Sequence, residues 1–357
     1  MMGFEELIKA RFPDATILSC DRLGDDERAG DATTKGSGYG IPIRIRLRDA
    51  DGRERGLVFH TARADDFGHD RRADRAAAML LAYDTYGSLP GHVPALDVGV
   101  IDEQNTMRSI AGSQEAYLLT GWAPGQLYAA DLRTIAREGV TDRDLRRLDI
   151  LVDYLVRLHT RHLGRLAVYT RAVRDLIGSG EGVFGMIDGY AGDVPGAPPA
   201  RLRRLEERCA EWRWLLRGRE TRIARVHGDF HPFNLLFDDG DELALLDASR
   251  GAMGEPADDV TALAINFVFF ALDSPGAWQR GLGTLWHRLW SRYVHATSDH
   301  ELVGVAPPWL AWRALVIANP RWYPALTAPS RDRLLSWIER TLDTRRLDPA
   351  AADEVAA

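Results

Sequence analysis

The sequence predicts an α+β protein with a β-rich N-terminal lobe and a mainly helical C-terminal lobe. Isoleucines and a leucine alternate with proline and arginines over residues 41–48, the period-two pattern of a strand with one buried face. Over residues 142–162, apolar side chains recur instead at the spacing of one helix face. Because the pattern changes after Gly125, we place a hinge at residues 120–125 and divide the chain into lobes 1–121 and 122–357.

The N-terminal lobe is predicted from strand and helix patterns taken in chain order. The turn signal Ala50-Asp51-Gly52 joins two of its strands into a hairpin. A polar-to-apolar segment, HDRRADRAAAMLLAYDT, predicts its main helix. The predicted elements are a helix over 3–11, strands over 16–23, 41–48, 56–61, 96–101 and 115–120, and a helix over 69–85.

The C-terminal lobe is predicted to be helical around a short β segment. Residues 223–247 contain three short strand-like runs, and residues 163–199 form a Gly-, Pro- and Asp-rich loop region with short helical pieces. Helices are expected over 142–162, 200–217 and from 256 to the end. The run from Val260 to Leu272 is 13 residues long, too short to span a bilayer, and predicts a buried core helix.

Composition limits the function classes. A chain of 357 residues with 45% hydrophobic and 27% charged residues is an ordinary globular protein of roughly two domains. The net charge of −7 argues against a nucleic-acid partner. Cys20 and Cys209 lie far apart, which argues against a disulfide framework or a zinc site. The charged N-terminus lacks the apolar segment of a secretory signal, so we expect a cytoplasmic protein without a membrane partner.

One stretch carries the chemistry. An apolar strand leads into His227-Gly228-Asp229, Asn234 follows, and a third strand ends in Asp247. Phosphoryl transfer needs a carboxylate that accepts the proton of the attacking hydroxyl and oxygen ligands that hold magnesium on the nucleotide phosphates. The spacing H-x-D-x4-N supplies the carboxylate and one ligand, and a later aspartate supplies the other.

This stretch resembles the catalytic segment of the aminoglycoside phosphotransferase and choline kinase-like family of small-molecule kinases. The resemblance continues into Gly254-Glu255-Pro256-Ala257-Asp258-Asp259, which opens the next helix, and extends weakly over the whole chain. It implies a protein-kinase-like two-lobed fold, with Asp229 as catalytic base and Asn234 and Asp247 as magnesium ligands. Leu119 and Gly121 would then lie in the hinge that meets adenine. The alternative is a β-hairpin in which the aspartate and asparagine serve only as turn residues.

Two further features in the N-terminal lobe are candidates for nucleotide binding. The cluster Gly36-Ser37-Gly38 precedes a strand and could close over phosphates with its backbone N–H groups, or it could be an ordinary flexible turn. His60 ends the hairpin where the family resemblance implies a phosphate-contacting lysine or arginine. Lys35 or Arg63 could compensate, or His60 could be a strand residue without a ligand role. Asp70 and Asp74 are the candidate acidic partners on the following helix.

Other side chains admit a structural and a functional interpretation. We interpret His159 as a packed, hydrogen-bonded histidine and His227 as a brace of the catalytic loop, and leave His231 open. Acidic residues near the motif are interpreted as solvated turns, although they would suit a cationic acceptor; these are Asp238, Asp239, Asp241 and Glu255. Asp258 and Asp259 are interpreted as caps of the helix that follows, with one of them facing the acceptor as the alternative. Most tryptophans of the C-terminal lobe are expected in the core.

The function that these observations predict is ATP-dependent phosphorylation of a hydroxyl on a small molecule, such as an aminoglycoside, a sugar or an amino alcohol. The implied cofactors are Mg²⁺ and ATP, with GTP not excluded, and the partners are the nucleoside triphosphate and the small-molecule acceptor. Two alternatives stay open: a non-catalytic nucleotide-binding pseudokinase, because the strand lysine is missing, and a kinase that acts on a protein or another macromolecule. Neither the acceptor nor the oligomeric state follows from the sequence.

Overall fold

The computed structural model describes residues 2–23, 40, 42–160, 166–248 and 253–356. The chain forms two compact units, Met1–Thr120 and Gly121–Ala357. The first is small and sheet-rich, and the second is mostly helical. The predicted α+β composition is therefore present, with the β-rich part first.

The first unit is built on a three-stranded antiparallel sheet in the order β1-β2-β3. The register pairs Ile45 of the central strand with Cys20 on one side and Leu57 on the other. A separate two-stranded sheet pairs β4 with β5. The elements are α1 (Met2–Arg11), β1 (Thr16–Arg22), β2 (Ile43–Arg48), β3 (Glu54–Phe59), α2 (Arg72–Tyr86), β4 (Gly99–Ile101) and β5 (Met107–Ser109).

The alternation predicted for the second strand is confirmed where the structure describes it. Ile45 and Leu47 are buried, whereas the arginines between and after them are exposed. Their side chains pack with Ile8 of α1, and Phe12 and Phe59 lie against this cluster. A strand with a period of two places every second side chain on the same face, so this sheet buries one face only.

The second unit contains most of the helices and two small sheets. Strands β6, β8 and β9 form one sheet in that order, and β7 pairs with β10. The elements are β6 (Gln126–Leu127), α3 (Tyr128–Glu138), α4 (Asp142–Leu158), α5 (Leu166–Gly178), α6 (Val183–Asp188), α7 (Pro199–Leu215), β7 (Ala224–Arg225), β8 (Leu235–Phe237), β9 (Leu243–Leu245), β10 (Met253–Gly254), α8 (Pro256–Leu272), α9 (Gly283–Thr297), α10 (Leu302–Val305), α11 (Pro307–Ala318), α12 (Ala328–Asp343) and α13 (Asp353–Ala356).

Helix α8 is the central helix of this unit. Fifteen of its 17 residues are buried, from Pro256 to Leu272, which confirms the predicted core helix. Helices α9 and α11 pack against it, and the tryptophans Trp309, Trp312 and Trp337 are buried as expected. Within the described ranges, no helix combines the length and apolar character needed to cross a membrane.

An arginine on α4 fixes the hairpin of β8 and β9. Arg147 donates to Asp131 of α3 at 2.6 Å and to Asp241 in the hairpin turn at 2.7 Å. Its guanidinium also lies 4.8 Å from the centre of the Phe237 ring. One buried cation therefore attaches two helices to the turn that connects the strands of the motif.

One part of the predicted secondary structure is wrong, and another contains more helix than was predicted. Residues 115–120 form no strand, and Leu118, Leu119 and Trp122 lie 87, 88 and 92% exposed. An apolar run becomes a strand only where a neighbouring strand supplies hydrogen-bond partners, and the short β4–β5 pair does not extend to this segment. Residues 163–199 contain more helix than expected, because the apolar face of α5 packs into the core through Tyr169 and Val173.

A second buried arginine stabilises the start of α8. The guanidinium of Arg222 donates to Glu255 and to Asp299, each at 2.7 Å, and all three side chains are at most 6% exposed. Tyr169 donates to the same Glu255 carboxylate at 3.1 Å. Removal of one partner from such a cluster leaves uncompensated buried charge.

We therefore expect Arg222→Met to lower the free energy of unfolding by about 3–5 kcal/mol, measured by urea denaturation. The control is Arg203→Met, because Arg203 is exposed and pairs with the exposed Glu207 one helical turn away. It should leave the unfolding midpoint unchanged. Equal midpoints for the two variants would contradict a stabilising role for the buried cluster.

Candidate functional site

The first part of the candidate catalytic motif, His227 to Asn234, lies in the loop between β7 and β8. The Asn234 side-chain amide donates to the backbone carbonyl of Asp229 at 3.1 Å and lies 3.3 Å from its carboxylate oxygen Oδ2. The structure thus brings together the candidate base and one candidate magnesium ligand. Asn234 is buried and Asp229 is partly exposed, so the carboxylate is the part of this pair that faces outward.

The loop is held by hydrogen bonds from its backbone to Asp259, in the first turn of α8. The Oδ2 atom of Asp259 accepts from the backbone N–H of His227 and Oδ1 accepts from that of Gly228, both at 2.8 Å. Gly228 has a φ of +83°, a conformation that glycine adopts without steric cost. Asp259 is fully buried, and its role as a helix cap is wrong: the cap is Glu255, which accepts from the backbone N–H of Ala257.

The Oδ2 atom of Asp259 also contacts His159, which follows α4. The Nε2 atom of His159 lies 3.1 Å from Asp259, and Nδ1 lies 2.7 Å from the hydroxyl of Tyr293. The prediction of a packed, hydrogen-bonded histidine is confirmed. His227 accepts from the backbone N–H of Asp229 through Nδ1 at 3.3 Å, which is the bracing geometry expected for it.

An arginine that the motif does not include contacts the candidate base. Arg313 of α11 donates to Oδ1 of Asp229 at 2.5 Å, to the carbonyl of Gly228 at 3.1 Å and to Asp258 at 2.8 Å. It is 6% exposed, and its guanidinium lies 3.9 Å from the Trp312 ring. The sequence contained one signal of it, because Arg313 is the single charged residue in the apolar helix PPWLAWRALVIA.

His231 approaches the other oxygen of the same carboxylate. Its Nδ1 accepts from the backbone N–H of Phe233 at 3.1 Å, which places the proton of the neutral ring on Nε2. That Nε2 lies 3.3 Å from Oδ2 of Asp229. His231 therefore lies next to the candidate base. The sequence analysis had left its role open.

The charge state of Asp229 follows from these neighbours. Burial by itself would raise the pKa of this carboxyl. The hydrogen bond from His231 and the positive charge of Arg313 outweigh burial and hold the pKa of Asp229 well below its ordinary range. Asp229 is therefore an anion at neutral pH, with lone pairs available to a hydroxyl group.

Asp247 follows β9 and is exposed, with a φ of +52° that is uncommon for a residue other than glycine. The backbone N–H of Leu246 donates to the carbonyl of Asn234 at 2.9 Å. Because β8 and β9 are antiparallel, Asn234 and Asp247 lie at the same end of the hairpin.

This end of the hairpin fits a magnesium ion. The Asn234 amide nitrogen faces Asp229, which leaves its carbonyl oxygen for a cation, and Asp247 adds a carboxylate. Mg²⁺ prefers oxygen ligands and usually takes one or two from the protein, with phosphates and water completing its shell. The described part of the chain contains no group of three or more His, Cys, Asp or Glu that could hold a metal ion.

Two of the acidic residues near the motif are already paired. Asp241 accepts from Arg143 and Arg147, and Glu255 is buried against Arg222. The interpretation of Glu255 as a solvated turn is therefore wrong. Neither carboxylate is free to attract a cationic acceptor, because each already binds a guanidinium.

The residues predicted to bind nucleotide belong to the predicted lobe 1–121. His60 directly follows β3 and lines a cleft of about 330 Å³ with His69, Met79 and Tyr86. Asp74 caps α2 by accepting from the backbone N–H of Arg71 at 2.9 Å. Leu119 and Gly121, the predicted hinge contacts, are exposed in an irregular segment. Gly36, Ser37, Gly38 and Lys35 lie outside the described residues.

Solved structures of small-molecule kinases align with this chain at low identity. A Plasmodium vivax ethanolamine kinase is 11% identical, covering 92% of this chain and 84% of its own, with a TM-score of 0.34. A glucosamine kinase is 15% identical, covering 96% and 94%, with a TM-score of 0.36. An aminoglycoside phosphotransferase from Streptomyces rimosus is 16% identical, covering 88% and 97%, with a TM-score of 0.35.

No curated protein sequence matches the chain significantly. The sequence profile of the phosphotransferase enzyme family matches residues 47–293, well over half of the chain, and this span contains the whole segment from His227 to Asp247. The match agrees with the sheet-rich first unit and the helical second unit, so the predicted protein-kinase-like α+β fold class is confirmed. The chain belongs to the phosphotransferase enzyme family.

Proposed function

We propose that this protein transfers the γ-phosphoryl group of ATP to a hydroxyl group of a small molecule, in the cytoplasm, the compartment that supplies ATP. The observation that carries the proposal is the loop in which Asp229 and Asn234 are held in contact, with Asp247 at the same end of the adjoining hairpin. An ionised carboxylate beside two oxygen ligands is the constellation that phosphoryl transfer requires.

In the proposed reaction, Asp229 accepts a hydrogen bond from the acceptor hydroxyl and then its proton. The hydroxyl oxygen forms a bond to the γ-phosphorus while the bond from this phosphorus to the β–γ bridging oxygen breaks. Asn234 and Asp247 would hold Mg²⁺, which would neutralise phosphate charge. Because the transition state is loose, positioning and electrostatics supply most of the rate enhancement.

We assign nucleotide binding to lobe 1–121 and catalysis with acceptor binding to lobe 122–357. The residues proposed to contact nucleotide are His60, Leu119 and Gly121, together with the segment 36–38. The exposure of Leu119 supports this role, because an apolar side chain open to solvent can cover a purine face. His60 supplies a donor where a permanent cation is expected.

The acceptor class is proposed as aminoglycoside, sugar or amino alcohol. A panel of such compounds, with nucleosides added, tests it by Mg²⁺-dependent transfer from ATP or GTP. Product formation from one panel member supports the small-molecule kinase. Nucleotide binding without any turnover favours the pseudokinase, and transfer to protein alone favours a macromolecular substrate.

The first prediction for this function concerns the base. Asp229→Asn keeps the shape of the side chain but removes its capacity to take a proton. We expect turnover to fall by about 10²–10⁴ with the Kd for Mg-ADP nearly unchanged. Turnover equal to that of the wild type would show that Asp229 is not the base.

The second concerns the metal. Asp247→Asn is the variant of choice because asparagine also adopts a positive φ, and it removes one negative charge. We expect the factor by which Mg²⁺ tightens ADP binding to fall about tenfold or more. Calorimetry with and without Mg²⁺ measures it. Asp239→Asn in the turn at the opposite end of the hairpin is the control and should keep the full gain. Equal gains in both variants would remove Asp247 from the metal site.

The third concerns the histidine after β3. If His60 contacts phosphate, His60→Ala should weaken Mg-ADP binding several-fold, whereas His60→Lys should preserve or tighten it, since lysine adds a permanent charge. Replacement of the exposed His295 by alanine is the control. An unchanged Kd for His60→Ala would assign the phosphate contact to another residue or to none.

A further inference from the structure

Arg313 connects the candidate base, Asp229, to helix α8. Of its guanidinium nitrogens, Nη1 donates to Oδ1 of Asp229, and Nη2 donates both to the carbonyl of Gly228 and to Asp258. The planar group therefore bridges the loop and the first turn of α8. Its position is fixed by burial and by the ring of Trp312.

The two oxygens of Asp229 are held differently. Oδ2 lies 3.3 Å from both His231 and Asn234, longer contacts than the 2.5 Å from Arg313 to Oδ1. In the described part of the chain, Oδ1 has no hydrogen-bond partner other than Arg313. The terminal torsion of an aspartate side chain is broad and has no sharply preferred value. The direction of the Asp229 carboxylate is therefore set mainly by Arg313.

We propose that Arg313 is a positioning residue of the phosphotransfer reaction, which holds the Asp229 carboxylate in the orientation that receives the acceptor hydroxyl. This proposal rests on the proposed function. Arg313 acts through Asp229 and through the Gly228 carbonyl. An arginine is needed because its rigid fork reaches three acceptors at once, whereas the point charge of a lysine cannot reproduce that geometry.

The test compares Arg313→Met, Arg313→Lys and Arg201→Met in steady-state ATP hydrolysis with Mg²⁺, water serving as the acceptor. Arg313→Met should lower kcat by roughly 10–100-fold, the loss expected from a misplacement of about 1 Å. The KM for ATP should stay within about threefold of the wild type, and Arg313→Lys should lie between the two.

Arg201 is the matched control because it is equally buried. It links α7 to Asp332 and Glu339 of α12, and none of its partners belongs to the catalytic loop. Arg201→Met should lower stability while leaving kcat within about twofold of the wild type. Equal kcat values for Arg313→Met and Arg201→Met would overturn the proposal.

A double variant separates positioning from general structural support. If Arg313 acts through Asp229, adding Arg313→Met to Asp229→Asn should cause no further fall in kcat. This double variant also removes both charges of the Arg313–Asp229 pair, whereas the contact of Arg313 with Asp258 is lost in it as in the single variant. A second fall as large as that of Arg313→Met alone would overturn the proposal.

The two proposals fail in different ways. A folded wild type that turns over neither ATP nor GTP with water or any acceptor of the panel would refute the proposed function and the role of Arg313 with it. An active wild type with full activity in Arg313→Met would refute only the positioning role.

Discussion

The candidate site depends on one buried carboxylate. Asp259 accepts two consecutive backbone N–H groups from the loop and contacts His159 with its remaining capacity. A buried anion is costly unless it is fully hydrogen-bonded, so the loop and helix α8 must keep this arrangement together. Helix α8, in which 15 of 17 residues are buried, thereby fixes the backbone from which Asp229 projects.

Asp259 holds the backbone of the loop in place, and buried arginines hold side chains and turns in place. Arg147 attaches the hairpin turn to α3 and α4, Arg222 attaches the start of α8 to its neighbours, and Arg313 attaches Asp229 to α8. Each guanidinium bridges at least two carboxylates, which a lysine ammonium does less well. The sequence contains only two lysines among its 45 basic residues, and the fold makes structural use of the resulting excess of arginine.

The sequence predicted local patterns better than long-range pairs. The buried helix from Val260, the alternation around Ile45 and the hydrogen-bonded His159 each follow from periodicity or from side-chain chemistry, and the structure has them. The contact of Arg313 with Asp229 spans 84 residues and no local pattern encodes it. The strand predicted over 115–120 failed for the same reason, since strand formation depends on a partner that lies elsewhere in the chain.

The hairpin of β8 and β9 constrains the length of this part of the chain. The spacing of Asn234 and Asp247 is determined by main-chain hydrogen bonds, from the Leu235–Leu245 pair to the bond of Leu246 with Asn234. Side chains along these strands can change without altering that spacing. A one-residue insertion or deletion inside either strand would shift the register and turn every following side chain to the opposite face. The hairpin therefore tolerates substitutions along its strands but no change in their length. Insertions and deletions are tolerated only outside the paired residues.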